Sequence, residues 1–140
     1  MNDTEQPLNL VLFSGTDDKL EAAAVLAAGA AALGRPVHIF LQYWALNAFR
    51  SDGIGGDHGL AAEAGEAGRA SVDALAAAGQ SGWPETLRQV KEIGEVDIQA
   101  CSLSMDLLHL EPGDLDPLVD GVEGVTSFWL SAASGQVVFI

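Results

Sequence analysis

Leu8-Asn9-Leu10-Val11-Leu12-Phe13-Ser14-Gly15, followed by Asp17-Asp18, a long Ala/Leu run and then Val37-His38-Ile39-Phe40-Leu41-Gln42, decides the fold of this chain. The first run is almost continuously apolar, as expected of a strand covered on both faces. It ends at Ser14-Gly15. Asp17 and Asp18 open a helix, with Glu21 three residues after Asp18 in a capping-box-like spacing, and Gly34-Arg35-Pro36 closes it. The second apolar run follows at once, so the chain begins β-α-β. A connection of that length implies a right-handed crossover between parallel strands.

Further along, residues 43–49 (Tyr-Trp-Ala-Leu-Asn-Ala-Phe) read as a short helix whose aromatic bulk packs or meets a partner. Residues 51–83 hold half of the chain's 16 glycines and many alanines. Within them Leu60, Ala64, Gly68, Val72 and Leu75 mark one stripe on a weak helix, and a mobile cover over the site is the functional alternative for this insertion. Pro84 and Glu85 start a firmer helix that ends near Gly94. Val96-Asp97-Ile98-Gln99-Ala100 is a strand, and the run after Cys101 is helix-like. Beyond the break at Pro112-Gly113, residues 114–119 suggest a short helix interrupted by Pro117. Residues 125–130 are ambiguous, with context favouring a helix that ends at Gly135, and Val137-Val138-Phe139-Ile140 closes as a strand. The alternation describes one domain over residues 1–140, an open, mostly parallel α/β sandwich with four or five strands.

The chain has 140 residues, 49% of them hydrophobic, enough to bury a core. Six Lys plus Arg against 20 Asp plus Glu leave a net charge of -14. Such a surface repels nucleic acid and anionic membranes, and would meet a basic partner protein if it meets one at all. No apolar stretch is long enough to span a bilayer, and the N-terminus is acidic, so a soluble, unexported, cytoplasmic protein is expected.

Cys101 is the one cysteine, which excludes an intrachain disulfide. It sits where a strand gives way to a helix-like run, a junction whose free N–H groups favour the thiolate and hence nucleophilic chemistry. Ser102 and Ser104 suit a helix start and can donate to an anion. Against this, free cysteine is often a small buried hydrophobe. Ligands of parallel sheets gather beyond the carboxyl ends of the strands, where Ser14-Gly15, Gln42-Tyr43 and Ala100-Cys101 all lie. One shallow site made from these three loops is the expected location, with Ser14, Gly15, Tyr43, Ser102 and Ser104 in support of Cys101.

Other patterns carry less. Gly53-Ile54-Gly55-Gly56-Asp57-His58-Gly59 lacks a preceding strand and a Gly-Lys-Ser/Thr, so it is no phosphate loop. Asp57 and His58 alone make no metal shell. His109 is eight residues past the thiol, and His38 within an apolar strand reads as a satisfied core residue. No Cys-His-Asn/Asp ordering points to a cysteine protease.

Several segments resemble the DsrE/DsrF/DrsH-like family, in its branch often labelled peroxiredoxin-like. They are Leu12-Phe13-Ser14-Gly15 with Asp17-Asp18-Lys19, Phe40 through Trp44-Ala45-Leu46-Asn47, Asp120-Gly121-Val122 with the closing strand, and above all the Cys-x-x-Ser-Met-Asp run beginning at Cys101. The resemblance implies a flavodoxin-like three-layer fold assembled as a homotrimer or homohexamer. It further implies sulfurtransferase activity, with Cys101 relaying sulfur as a persulfide to or from a small TusA-like or rhodanese-like carrier protein and with no cofactor. The residue 51–83 segment departs from the Met- and Lys-rich loop of relatives. The competing class is a non-catalytic binding or assembly module with an inert Cys101; a thiol peroxidase lacks the Thr-x-x-Cys environment it would need.

Overall fold

The computed structural model describes residues 6–140; the acidic stretch taken above as no export signal falls largely in residues 1–5, outside it. Five parallel strands, β1 (Leu8–Leu12), β2 (Val37–Leu41), β3 (Val96–Cys101), β4 (Gly121–Glu123) and β5 (Gln136–Phe139), form one sheet in the order β4-β3-β2-β1-β5. The helices are α1 (Asp17–Ala32), α2 (Tyr43–Ala48), α3 (Gly65–Ala77), α4 (Trp83–Ile93), α5 (Ser102–Leu107) and α6 (Val125–Ser131). They lie on both sides of the sheet, giving the α/β flavodoxin-like sandwich expected.

Connection handedness explains which helix lies where. From β1 to β4 the chain steps across the sheet in one direction, so right-handed crossovers stack the intervening helices on one face. There Leu10, Leu12, Ile39, Leu41 and Ile98 meet Leu20, Ala23, Ala24 and Ala27 of α1, with Leu46 of α2, Leu87 of α4 and Met105 of α5. The alanines recur at helical spacing and let α1 lie close to the sheet. The step from β4 to β5 reverses direction, which puts α6 on the opposite face. That side has a smaller cluster of Val11, Phe40, Cys101, Phe128 and Ala132.

Several elements differ from their sequence reading. The Asp18/Glu21 capping box does not form at α1: Thr16 is the N-cap without a side-chain bond, and the Asp18 carboxylate accepts from Lys19 N and Ala61 N instead. Helix α3 exists but fully buries none of its side chains: Leu60, Ala64, Gly68 and Val72 of the expected stripe are half-buried and Leu75 is exposed, because α4 already fills the place beside α1. Residues 114–119 are not a helix. After a 3-10 turn at Pro112–Asp114, Leu115 bridges to Arg50, and Asp116 folds back onto the Leu118 N–H. Strand β4, absent from the sequence reading, is only three residues long and is held in place because the Asp120 carboxylate accepts the Ile98 N–H at 2.8 Å.

Gly15 links the first two units by close approach: a Cβ there would lie 2.3 Å from the Trp44 carbonyl oxygen. Ala45 N donates to Phe13 O across the same junction. Gly15→Ala should therefore cost about 1–3 kcal/mol by forcing α2 away from β1, measured as a lower urea midpoint with an unchanged slope.

Candidate functional site

The carboxyl ends of β1 and β2 open onto a depression of about 390 Å³ lined by Ser14, Gly15, Thr16, Trp44, Asn47, Ala48 and His58. The Ser14 and Thr16 hydroxyls are 3.2 Å apart. His58 is anchored by Asp17, whose carboxylate accepts the His58 backbone N–H and Nδ1–H and the Trp83 Nε1–H, each at 2.8 Å. The bond to a carboxylate assigns the ring proton to Nδ1 and leaves Nε2, which is buried without a protein partner, as an acceptor. Asp17, His58 and Trp83 are far apart in sequence, and no local pattern announces their meeting.

Acidic groups crowd the start of α1. Burial, and then the Asp17 charge, push the Glu21 carboxyl up. Burial also acts to raise Asp18, but hydrogen bonds from the Thr16 side chain and from the Ala61 and Lys19 backbone outweigh it and hold Asp18 below its ordinary value.

Cys101 lies elsewhere. It ends β3 and precedes α5 with extended backbone, as the strand-to-helix reading requires. Its side chain, however, turns into the second-face cluster beneath α6, leaving the residue 3% exposed. A residue ending a central strand alternates onto one face or the other, and here that face is roofed by α6. The expected three-loop site also divides. Ser14 and Gly15 line the depression with Trp44, whereas Cys101 is not part of that lining. Ser104 is fully buried and its Oγ accepts the Tyr43 N–H at 3.0 Å, fixing Tyr43 in a left-handed conformation of φ 44°. Its role is thus to tie α5 to α2. Ser102 is exposed, and the Tyr43 ring packs on Phe13. His109 is exposed in the turn after α5.

The residues sharing the thiol's layer were missed. Register pairs Cys101 with Glu123 on β4, side by side on one face. Glu123 Oε1 lies 2.6 Å from His38 Nε2, an ion-pair distance whose angle falls short of an aligned hydrogen bond. Both side chains are 13% exposed, so His38 is a paired residue under α6 rather than a simple core histidine. Asp97 is 3.9 Å from the same nitrogen. Ser127 Oγ of α6 donates to the other Glu123 oxygen at 3.4 Å, and Phe128 packs on both Phe40 and His38. Only the pairing of a three-residue strand brings Glu123 here.

Comparison with known proteins fits this architecture. Residues 4–59 match the family described as DsrE/DsrF/DrsH-like. Over that stretch the chain resembles the DsrE/DsrF/DrsH-like family. The family is one linked to sulfur relay. The matched stretch contains every residue lining the depression and ends before Cys101. The chain is also 29% identical over 158 residues to the uncharacterized protein YrkE of Bacillus subtilis (strain 168), covering 98% of each. It shares its fold with MTH1491, a protein of unknown function from Methanobacterium thermoautotrophicum, at 12% identity and a TM-score of 0.62, covering 97% of this chain and 100% of that one. Among the described residues no helix is long and apolar enough to cross a membrane.

Asp17→Ala would leave the Trp83 and His58 donors without an acceptor, at a cost of about 1–3 kcal/mol for each donor kept from water. Chemical denaturation should show the loss. The depressed Asp18 gives a second expectation: its contribution is present above the unfolded value, near the ordinary 3.8, and is lost as pH falls through the lower folded value. Asp18→Asn should flatten that part of the acid limb in a plot of stability against pH.

Proposed function

We propose that this protein carries sulfur as a persulfide on Cys101 and passes it to or from a small carrier protein of TusA-like or rhodanese-like type. The observation that carries the reading is the family match, from a family linked to sulfur relay, in a chain whose one thiol ends a central strand of the sheet. A reducing cytoplasm suits such an unpaired thiol. The chemistry is thiol exchange. The Cys101 thiolate, its proton released to solvent, attacks the outer sulfur of a donor persulfide; a new S–S bond forms at Cys101 as the donor's own S–S bond breaks. The donor leaves as a thiolate, which takes up a proton, and there is no net oxidation. Transfer to an acceptor thiol repeats the step in reverse.

The protein works as a homotrimer or homohexamer in this reading. Trp44 of α2 is 55% exposed, an apolar surface that suits subunit contact. Phe49 and Phe128, by contrast, are fully used in the chain's own packing. The net charge of -14 favours encounter with a carrier that presents a basic surface.

The burial of Cys101 favours a second reading, an oligomeric binding or assembly module with an inert cysteine. Intact-mass measurement after exposure to persulfidated carrier protein separates the two. The wild type should gain about 32 Da, one sulfur, and Cys101→Ser should gain nothing while keeping its fold. No gain with carrier or low-molecular-weight persulfide selects the binding module. Light scattering at micromolar concentration should give three or six times the chain mass, and a monomer would remove the assembly from this reading.

A further inference from the structure

We propose that α6 is a latched cover over Cys101, which opens locally, with the rest of the fold intact, to admit the sulfur donor or acceptor. The inference rests on the persulfide reading and supplies the access that reading needs. Three features of α6 carry it.

Its attachment is narrow. Of Val125–Ser131 only Phe128 is buried, joined by Ala132 in the turn that follows; Val125, Trp129 and Leu130 face outward. The cluster these two residues make with Val11, Phe40 and Cys101 is distinct from the main core on the other face of the sheet. Displacing α6 therefore uncovers the thiol without opening the packing of α1, α2, α4 and α5. Local opening draws on regions with few buried apolar contacts.

Its two ends are held differently. At Gly135 a Cβ would fall 2.4 Å from Pro7 O and 2.6 Å from Asn9 Nδ2, so the backbone there is pressed against the entry to β1. At Gly124 a Cβ would meet nothing nearer than Ser102 Oγ at 3.8 Å. The end that has room to move is the Gly124 end, next to the Cys101–Ser102 junction.

The latch sits at that same end. Glu123 immediately precedes Gly124, its Oε1 is 2.6 Å from His38 Nε2 on β2, and its other oxygen accepts from Ser127 within α6. Phe128 stacks on Phe40 with ring centroids 4.8 Å apart and lies against His38 at 5.5 Å. The charged groups facing His38 are Glu123 and, at 3.9 Å, Asp97; α6 itself contributes none. Opening must break the Phe128 ring stacking and the Ser127–Glu123 bond, the two contacts that join α6 to this layer of the sheet.

The test is the rate at which N-ethylmaleimide alkylates Cys101 in the native protein across low urea concentrations, compared with global unfolding. Alkylation should have a much shallower urea dependence than global unfolding. Phe128→Ala should speed it by about 10- to 100-fold, and Ser127→Ala, which removes the α6 donor to Glu123, by about two- to fivefold. Val90→Ala, at a buried position of α4 outside the cluster around Cys101, should lower the global urea midpoint and leave alkylation in buffer unchanged. The cover is overturned if alkylation follows the full global slope and responds to Val90→Ala, if Ser127→Ala leaves the rate unchanged, or if the wild-type thiol reacts as fast as in unfolded chain. Should Phe128→Ala fail to fold, the slope and Ser127→Ala decide alone. Alkylation needs no persulfide. A protein that opens as described yet never gains sulfur therefore supports the cover and overturns the sulfur reading.

Discussion

Strand β1 is buried along its whole length, and covering both of its faces is the constraint on which the other elements depend. A five-residue apolar strand at the inner position of a parallel sheet needs neighbours on both edges and helices above and below. β2 and β5 supply the edges. The alanine face of α1 covers one side, where small side chains bring a 16-residue helix close to the sheet. The other side is left to α6, because the single reversal in the direction the chain steps across the parallel sheet comes last.

That reversal makes the two faces unequal in size and in chemistry. The first carries the large aliphatic core. The second combines aromatic rings, the one thiol and a close imidazole–carboxylate pair under a seven-residue helix. Removing either member of this enclosed imidazole–carboxylate pair leaves the other as a buried polar group without its neighbour. Such a layer is permissive of local change in a way the aliphatic face is not. The polar network of Asp17, His58 and Trp83 has the opposite character: three donors converge on one carboxylate and pin residues 57–59 and α4 to the start of α1.

Two candidate regions therefore stand at the carboxyl end of the sheet and remain separate. The depression beside Ser14 and His58 falls within the stretch that matches the family, and the thiol falls outside it. Ser104 connects them mechanically, because the helix that follows Cys101 holds the Tyr43 N–H that begins the depression's far wall.

The sequence by itself determined the β-α-β opening, the parallel α/β class, the strand ending at Cys101 and the helix from Trp83 to Ile93, because each is written in local periodicity, a turn residue or a cap. The Cys-x-x-Ser-Met-Asp run and the first-strand segment were enough to point to the family. Only the tertiary structure decided that Cys101 faces inward beneath α6, that Glu123 and His38 share its layer, and that Asp17 gathers His58 and Trp83. Strand β4 is three residues with no apolar run, so nothing local reveals it, and without it the pairing of Glu123 with Cys101 has no origin. Which face a strand-end side chain meets, and what roofs that face, depends on strand order and crossover direction, and those are settled by the packing of the whole chain rather than by any stretch of it.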